Sequence, residues 1–260
     1  MPLSDILLLS FVQSATEFLP VSSSGHLVLM EKFGLSNQNL LMDISLHLGT
    51  LIAVLAFFYK DILNLLKNFY KKGAEQKLAL QLIIATIPAC VVGYFFNDII
   101  ETVLRSPLII AFTSIFYGSL LWVADKFSSS KKSIGTMGYK DALILGCAQA
   151  LALIPGTSRS GITMTCARFL GVNRVESAKF SMLMSIPVIA LGAFYMIFKS
   201  ASNGHLTPEL ISNLGIGIVS AGVFGLGAVW FLMRWLKTAS FALFAIYRII
   251  LGIFLFCFFW

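Results

Sequence analysis

Apolar residues do not alternate along this chain; they run in long blocks. Near-continuous hydrophobic stretches stand at roughly 39–59, 77–97, 107–125, 177–199, 210–234 and 239–259. Each is close to the ~20 residues that a membrane-crossing helix needs, so the pattern predicts six transmembrane helices. Regions 2–33 and 140–172 read differently. In each, shorter helical runs are split by a polar segment that starts at a proline. The first break is Leu19-Pro20-Val21-Ser22-Ser23-Ser24-Gly25-His26, and the second is Ile154-Pro155-Gly156-Thr157-Ser158-Arg159-Ser160-Gly161. Hydrocarbon offers no water to hydroxyls, a guanidinium or uncoiled backbone. Such breaks are tolerated at membrane depth only when buried in protein or lining a cavity. Both regions are predicted to be re-entrant helical hairpins; full crossing by each half-run is the alternative.

Composition sharpens the class. Of 260 residues, 58% are hydrophobic and only 12% charged. This balance excludes a soluble domain and fits one all-α integral membrane domain over 1–260. The formal charge of +7 does not indicate a nucleic-acid partner, because the basic residues cluster between apolar runs. Lys60, Lys67, Lys71, Lys72 and Lys77 form one cluster; Lys126, Lys131, Lys132 and Lys140 a second; Arg234 and Lys237 a third. The positive-inside rule places all three in the cytoplasm. Counting crossings then puts the first hairpin on the outer side, the second on the inner side and both termini outside. Residues 61–72 read as a basic amphipathic helix on the inner leaflet. The first run is not read as a cleaved leader, since Asp5, Ser10, Gln13, Ser14 and Glu17 interrupt it. Cys90, Cys147, Cys166 and Cys257 are read as small buried hydrophobes.

The two breaks echo each other. Gln13 and Gln149 precede Pro20 and Pro155 by seven and six residues, and Ser45 and Ser181 follow them by 25 and 26. Two similar halves entering from opposite faces predict an inverted-topology repeat.

The breaks also hold the candidate chemistry. Gln13 and Glu17 are four apart and share one helix face. An intramembrane carboxylate needs a cation, a metal or a proton. Ser22, Ser23, Ser24, Gly25 and His26 combine tight-turn residues with hydroxyls and an imidazole. They suit an anion site or an activated nucleophile, or simply a serine-rich helix cap. Thr157, Ser158, Arg159, Ser160 and Gly161 open a helix carrying Thr163 and Arg168. Hydroxyls, backbone N–H groups and a forked cation there suit phosphate oxygens. A salt bridge from Arg159 to Glu17 is the structural alternative, and the two are compatible in an empty site. His47 is read as a satisfied core group. Arg248, beside Tyr247, would need an anion if buried. Asp125, Asp141 and Arg234 are read as solvated at membrane edges.

With those residues in place, the chain resembles the undecaprenyl pyrophosphate phosphatase family of the bacitracin-resistance type. Gln13-Ser-Ala-Thr-Glu17-Phe-Leu-Pro-Val-Ser-Ser-Ser-Gly-His26 and Pro155-Gly-Thr-Ser-Arg-Ser-Gly161 carry the likeness, which extends over essentially all 260 residues. The resemblance implies a multi-pass enzyme of the bacterial inner membrane, with interdigitated inverted repeats and a site open to the outer, periplasmic side. It implies removal of the terminal phosphate from a polyprenyl pyrophosphate lipid, with Mg²⁺ or Ca²⁺ in support. By matching position it assigns catalysis to Glu17, Ser23, His26 and Arg159. Substrate binding falls to Ser22, Ser24, Gly25, Gly156, Thr157, Ser158, Ser160, Gly161, Thr163 and Arg248. Metal binding falls to Gln13 and Glu17, although Gln13 stands where several relatives carry Glu, which removes one carboxylate. Surrounding membrane lipids, competition by bacitracin for the substrate and a homodimer belong to the same set of expectations. Ser23 attack with His26 as base and direct water attack both remain open. So does a rival function, a transporter or flippase for a polyprenyl phosphate lipid. A phosphatidic-acid-type phosphatase is disfavoured, because the next histidine after Arg159 is the distant His205.

Overall fold

The computed structural model describes residues 1–32, 40–102, 104, 106–200 and 208–260; His205 and the Ser24 side chain lie outside them. Among the described residues the chain forms eleven α-helices and a short 3₁₀ turn, with an isolated bridge between Lys132 and Val172 as its one extended pairing. In order the helices are α1 Leu3–Phe18, α2 Ser23–Lys32, α3 Leu40–Phe57, α4 Tyr59–Asn68, α5 Ala74–Thr102 and α6 Pro107–Phe127. They continue as α7 Tyr139–Leu151, α8 Arg159–Phe169, α9 Arg174–Ser200, α10 Pro208–Trp235 and α11 Ala242–Phe259.

Five helices are long and apolar enough to cross a membrane: α5 over Ala74–Phe96, α6, α9 over Arg174–Tyr195, α10 and α11. They correspond to five of the six apolar runs. The remaining run is α3, which passes the same test only together with α4, and the chain bends by 75° between the two. α4 carries the amphipathic segment expected near 61–72, and it buries no side chain fully. Lys179 of α9 reaches its Asp61 at 2.6 Å.

α1, α2, α7 and α8 are 16, 10, 13 and 11 residues long. At about 1.5 Å rise per residue, all four fall short of the ~30 Å hydrocarbon core. They occupy the two split regions. α1 packs on α10, α7 packs on α5, and α8 packs on α6 and α9. The apolar side chains divide between inside and outside. Phe18, Val54, Leu121, Met164, Met182, Leu232 and Phe241 form the largest core cluster. Phe112, Phe194, Val219, Trp230 and Ile250 point outward, as helices facing lipid on one side require. Cys90, Cys147 and Cys257 are exposed and Cys166 is half-buried. The three exposed cysteines are therefore not core residues: they sit on the outward faces of apolar helices, where lipid would cover them, whereas Cys166 packs against the cluster of Leu145, Ala167 and Phe180.

Close helix contacts depend on small residues. A side-chain carbon on Gly146 would stand 2.7 Å from the Ala85 carbonyl of α5, and one on Gly252 would stand 2.7 Å from the Ala111 carbonyl of α6.

Asp125, expected to be solvated, is buried. It accepts from Nε of Arg168 at 3.1 Å, Nε of Arg174 at 2.8 Å and the backbone N–H of Phe241 at 3.0 Å. Arg168 also donates to the Val172 carbonyl. One carboxylate thus ties the end of α6 to α8, α9 and the start of α11. The burial follows from the need of Arg168, itself 1% exposed, for a counter-charge. Asp125→Ala would leave that guanidinium unpaired, at a cost of about 3–5 kcal/mol. The expected result is a markedly lower thermal midpoint for the purified protein in detergent. An unchanged midpoint would show that the cluster contributes nothing to stability.

Candidate active site

The first break begins where Pro20 bars helix continuation. Leu19, the residue before it, adopts an extended conformation, as residues before proline do. The chain restarts as α2 after Ser22, whose φ is 73°. The second break is built alike. Gly156 has φ 86°, and Ser158, just before α8, has φ 67°. Ser158 caps α8 by accepting from the N–H of Gly161 at 3.2 Å. Left-handed conformations at non-glycine residues typically cost about 1–3 kcal/mol and persist only where surroundings enforce them. Here a positive φ stands at corresponding serines of both breaks.

The surroundings of the second break are clear. An added carbon on Gly156 would stand 2.7 Å from the Ile110 carbonyl, so a side chain would not fit against α6. Thr113 of α6 donates to the Pro155 carbonyl at 2.8 Å. Arg248 of α11 is fully buried, and one guanidinium nitrogen donates to the carbonyls of Gly156 at 2.9 Å and Thr157 at 2.7 Å. The sequence led us to expect an anion beside this cation, but two carbonyl oxygens occupy that place. Gly161 lets the same guanidinium approach the first turn of α8, since a carbon there would stand 2.5 Å from Nη1. The Thr157 hydroxyl and Nε and Nη1 of Arg248 are buried without a protein partner.

The two breaks meet. Nη2 of Arg159 lies 2.8 Å from Oε1 of Glu17. Ser160 donates from its hydroxyl to the Leu19 carbonyl at 3.1 Å. Arg159 also donates from Nη1 to the Ser181 carbonyl at 3.1 Å, and the hydroxyls of Ser181 and Thr163 are 2.7 Å apart. The other carboxylate oxygen of Glu17 accepts from the Gln13 amide at 3.4 Å, and that amide nitrogen is also 3.4 Å from Nδ1 of His47. Both members of the ion pair are mostly shielded, with side chains 14% and 11% exposed. In such a medium their attraction exceeds that of a surface pair, and separating them without a substitute charge is costly.

A cavity of ≈ 240 Å³ opens beside this pair, lined by Glu17, His47, Gln149 and Arg159 together with apolar residues of α3, α5, α9 and the segment that follows α7. Of the residues singled out from sequence, the cavity gathers Glu17 and Arg159. Gln13 stands just behind Glu17. Ser23, half-buried, is the first residue of α2 and is not among the lining residues. Gly25 packs on Leu251 of α11. His26 faces elsewhere: its Nδ1 is 2.8 Å from the Ser22 carbonyl and its Nε2 is 2.5 Å from the Tyr247 hydroxyl. A carbonyl only accepts, so Nδ1 carries the proton and Nε2 is the basic nitrogen, accepting from Tyr247.

His47, Gln149, Ser181 and Tyr247 were not picked out as site residues. Gln149 and Ser181 carried a signal, as the counterparts of Gln13 and Ser45 in the second half. His47 has Asp43 four residues before it on an apolar helix, and reads as a satisfied core group. Tyr247 had only its adjacency to Arg248.

Divalent-metal donors are few. Among the described residues no three His, Cys, Asp or Glu side chains converge on a metal position. Glu17 offers one carboxylate and Gln13 an amide group. This set fits a hard cation held chiefly by phosphate oxygens of a ligand, which is how Mg²⁺ is commonly bound.

Fold and site together define a multi-pass helical membrane protein whose charged pair lies where two helix breaks meet beside a cavity. The family described as "Bacitracin resistance protein BacA" matches residues 6–254, and the chain belongs to it. It is similar to the undecaprenyl-diphosphatase of Desulforudis audaxviator (strain MP104C), 44% identical over 250 residues that cover 95% of this chain and 94% of that protein. It is equally similar to the undecaprenyl-diphosphatase of Hahella chejuensis (strain KCTC 2396), 44% identical over 255 residues and 95% of each chain. Undecaprenyl-diphosphatase 1 of Pseudoalteromonas translucida (strain TAC 125) is 39% identical over 260 residues and 97% of each chain.

Arg248→Met would release the carbonyls of Gly156 and Thr157. A buried carbonyl left unpaired costs roughly 1–3 kcal/mol, or about tenfold or more in local opening. Hydrogen exchange across 156–162 is expected to quicken at least tenfold, with little change in α10. Unchanged exchange there would mean that Arg248 does not hold the second break in place.

Proposed function

We propose that this chain is a membrane diphosphatase that hydrolyses undecaprenyl diphosphate to undecaprenyl phosphate and inorganic phosphate, returning a lipid carrier to cell-wall synthesis. The observation that carries the reading is the Arg159–Glu17 pair at 2.8 Å, which joins the two breaks beside a cavity with largely apolar walls. The 39–44% identity to undecaprenyl-diphosphatases over nearly the whole chain supports it.

The chain's own groups divide the work. Arg159, paired with Glu17, exchanges that carboxylate for the terminal phosphoryl group and holds it through its fork. The first turn of α8 and the hydroxyls of Ser158, Ser160 and Thr163 keep the guanidinium at its post. Ser23 attacks the terminal phosphorus through Oγ; the bond from that phosphorus to the bridging oxygen breaks, and undecaprenyl phosphate leaves. His26 Nε2, released from Tyr247, takes the serine proton. Water then cleaves the phosphoserine. Direct attack by water is a second reading, and one observation favours it: Glu17 and His47 line the cavity, whereas Ser23 and His26 do not. Glu17 and Gln13 would hold a divalent ion, Mg²⁺ or Ca²⁺, which when bound neutralises charge on phosphate oxygens.

The proposal includes six spans, with α3 as the sixth, and two re-entrant hairpins, α1–α2 and α7–α8, in an inverted repeat. Supporting this are the four short helices, the left-handed serines at both breaks, and the reciprocal packing of α1 on α10 and α7 on α5. It further places the protein in the bacterial inner membrane, with the site open to the periplasm, where bacitracin would compete for the substrate lipid.

Purified protein is expected to release inorganic phosphate from the C55 diphosphate and to lose this activity in EDTA. Lipid movement without phosphate release would identify a transporter instead. Arg159→Lys keeps the charge and loses the fork. Turnover should fall at least about tenfold, equivalent to roughly 1.4 kcal/mol in the barrier. Near-normal turnover would reduce Arg159 to a structural role. Acid quench during turnover separates the two routes: labelled phosphate on Ser23 supports covalent attack, and full activity of Ser23→Ala removes it.

A further inference from the structure

Resting on the reading of this site as one for a diphosphate lipid, the geometry points to Gly192 as the sill over which the prenyl tail leaves the cavity for the surrounding lipid. The cavity, at ≈ 240 Å³, is smaller than the roughly 300–1,000 Å³ that enclose a drug-sized ligand. A long polyprenyl chain cannot be contained there, so most of it must pass out of the protein while the head group stays at Arg159.

α9 sets the direction of that exit. Its Ser181 touches Arg159 at the polar end. Val188, Ile189, Gly192 and Ala193 of the same helix also line the cavity. At about 1.5 Å per residue, Gly192 lies roughly 16 Å along the axis from Ser181. The wall therefore changes from charged to wholly apolar along one helix, with Ala89 of α5 among the other apolar lining residues. This matches the polarity of a diphosphate joined to a hydrocarbon tail. At the apolar end the wall opens outward. Ala193 is buried, but Gly192 is exposed, and among the described residues a side-chain carbon added to Gly192 would meet no atom within 4 Å. An exposed, uncovered position at the rim of the cavity leaves a gap in its wall through which a tail can pass.

Gly227 provides the comparison. It too is exposed on an apolar helix, α10, and an added carbon would also meet nothing within 4 Å, but it does not line the cavity. A bulky residue at either position faces open space, so both variants are expected to fold; matched size-exclusion profiles and thermal midpoints verify this.

The test measures KM and kcat for C55 diphosphate in detergent micelles with the full chain, comparing Gly192→Ala, Gly192→Leu, Gly192→Phe and Gly227→Phe. Phenylalanine at 192 is expected to raise KM at least tenfold while changing kcat less than threefold. Leucine should fall between. Alanine at 192 should shift KM least of the three, and phenylalanine at 227 should stay within twofold of the parent. An unchanged KM in Gly192→Phe, a loss confined to kcat, or an equal rise in Gly227→Phe would overturn the assignment of the sill. If the parent chain releases no phosphate from C55 diphosphate at all, the functional reading itself fails, a result distinct from each of those.

Discussion

Everything in this molecule is arranged around one ion pair held away from water. Arg159 and Glu17 come from breaks far apart in sequence, and each alone would be an uncompensated charge mostly shielded from water. Together they are mutually satisfied, and the residual hydrogen-bonding capacity of each is taken up nearby, by the Ser181 carbonyl and the Gln13 amide. The pair thereby makes two irregular segments of backbone tolerable in one bundle. It also holds the guanidinium aimed beside an open cavity.

The rest of the bundle serves this placement. Small residues at helix crossings let α5 and α7, and α6 and α11, approach closely enough to seat the second break. Arg248 reaches across from α11 to hold two of its carbonyls, and Thr113 holds a third. At the far end of α8, Asp125 gathers two arginines and a backbone N–H. α8 is therefore fixed at both ends by buried electrostatics. A short helix that is too brief to be stable by its own propensity gains its definition from these contacts.

Much of the architecture was legible in the letters because membrane proteins write their spans as unbroken apolar runs. Five of the six runs are crossing-length helices, and the breaks at Pro20 and Pro155 fall where proline and serine place them. The Arg159–Glu17 pairing was accessible too, since two opposite charges stranded in apolar sequence have few other partners. What remained hidden depends on distance in space. His47 and Gln149 enter the cavity wall only because α3 packs on α9 and α7 packs on α5 and α8. Asp125 looked solvated because it sits near the end of an apolar run, and only the fold brings Arg168 and Arg174 to it. Arg248 seemed to want an anion, but carbonyls freed by an uncoiled loop meet the same need. The cysteines misled because burial in the protein and immersion in lipid favour the same residue types.

The two breaks use the same backbone device at Ser22 and Ser158, but counting in step from those serines their side chains diverge. Arg159 answers to Ser23, Leu153 to Glu17, and Ile162 to His26. In a contact between two identical copies every residue pair is made twice, once from each side. Here the acid stands in one break and the cation in the other, so the pair forms once. The letters at the matching positions, Ser23 and Leu153, carry no charge, and the bundle is left with a single polarised junction instead of a mirrored couple.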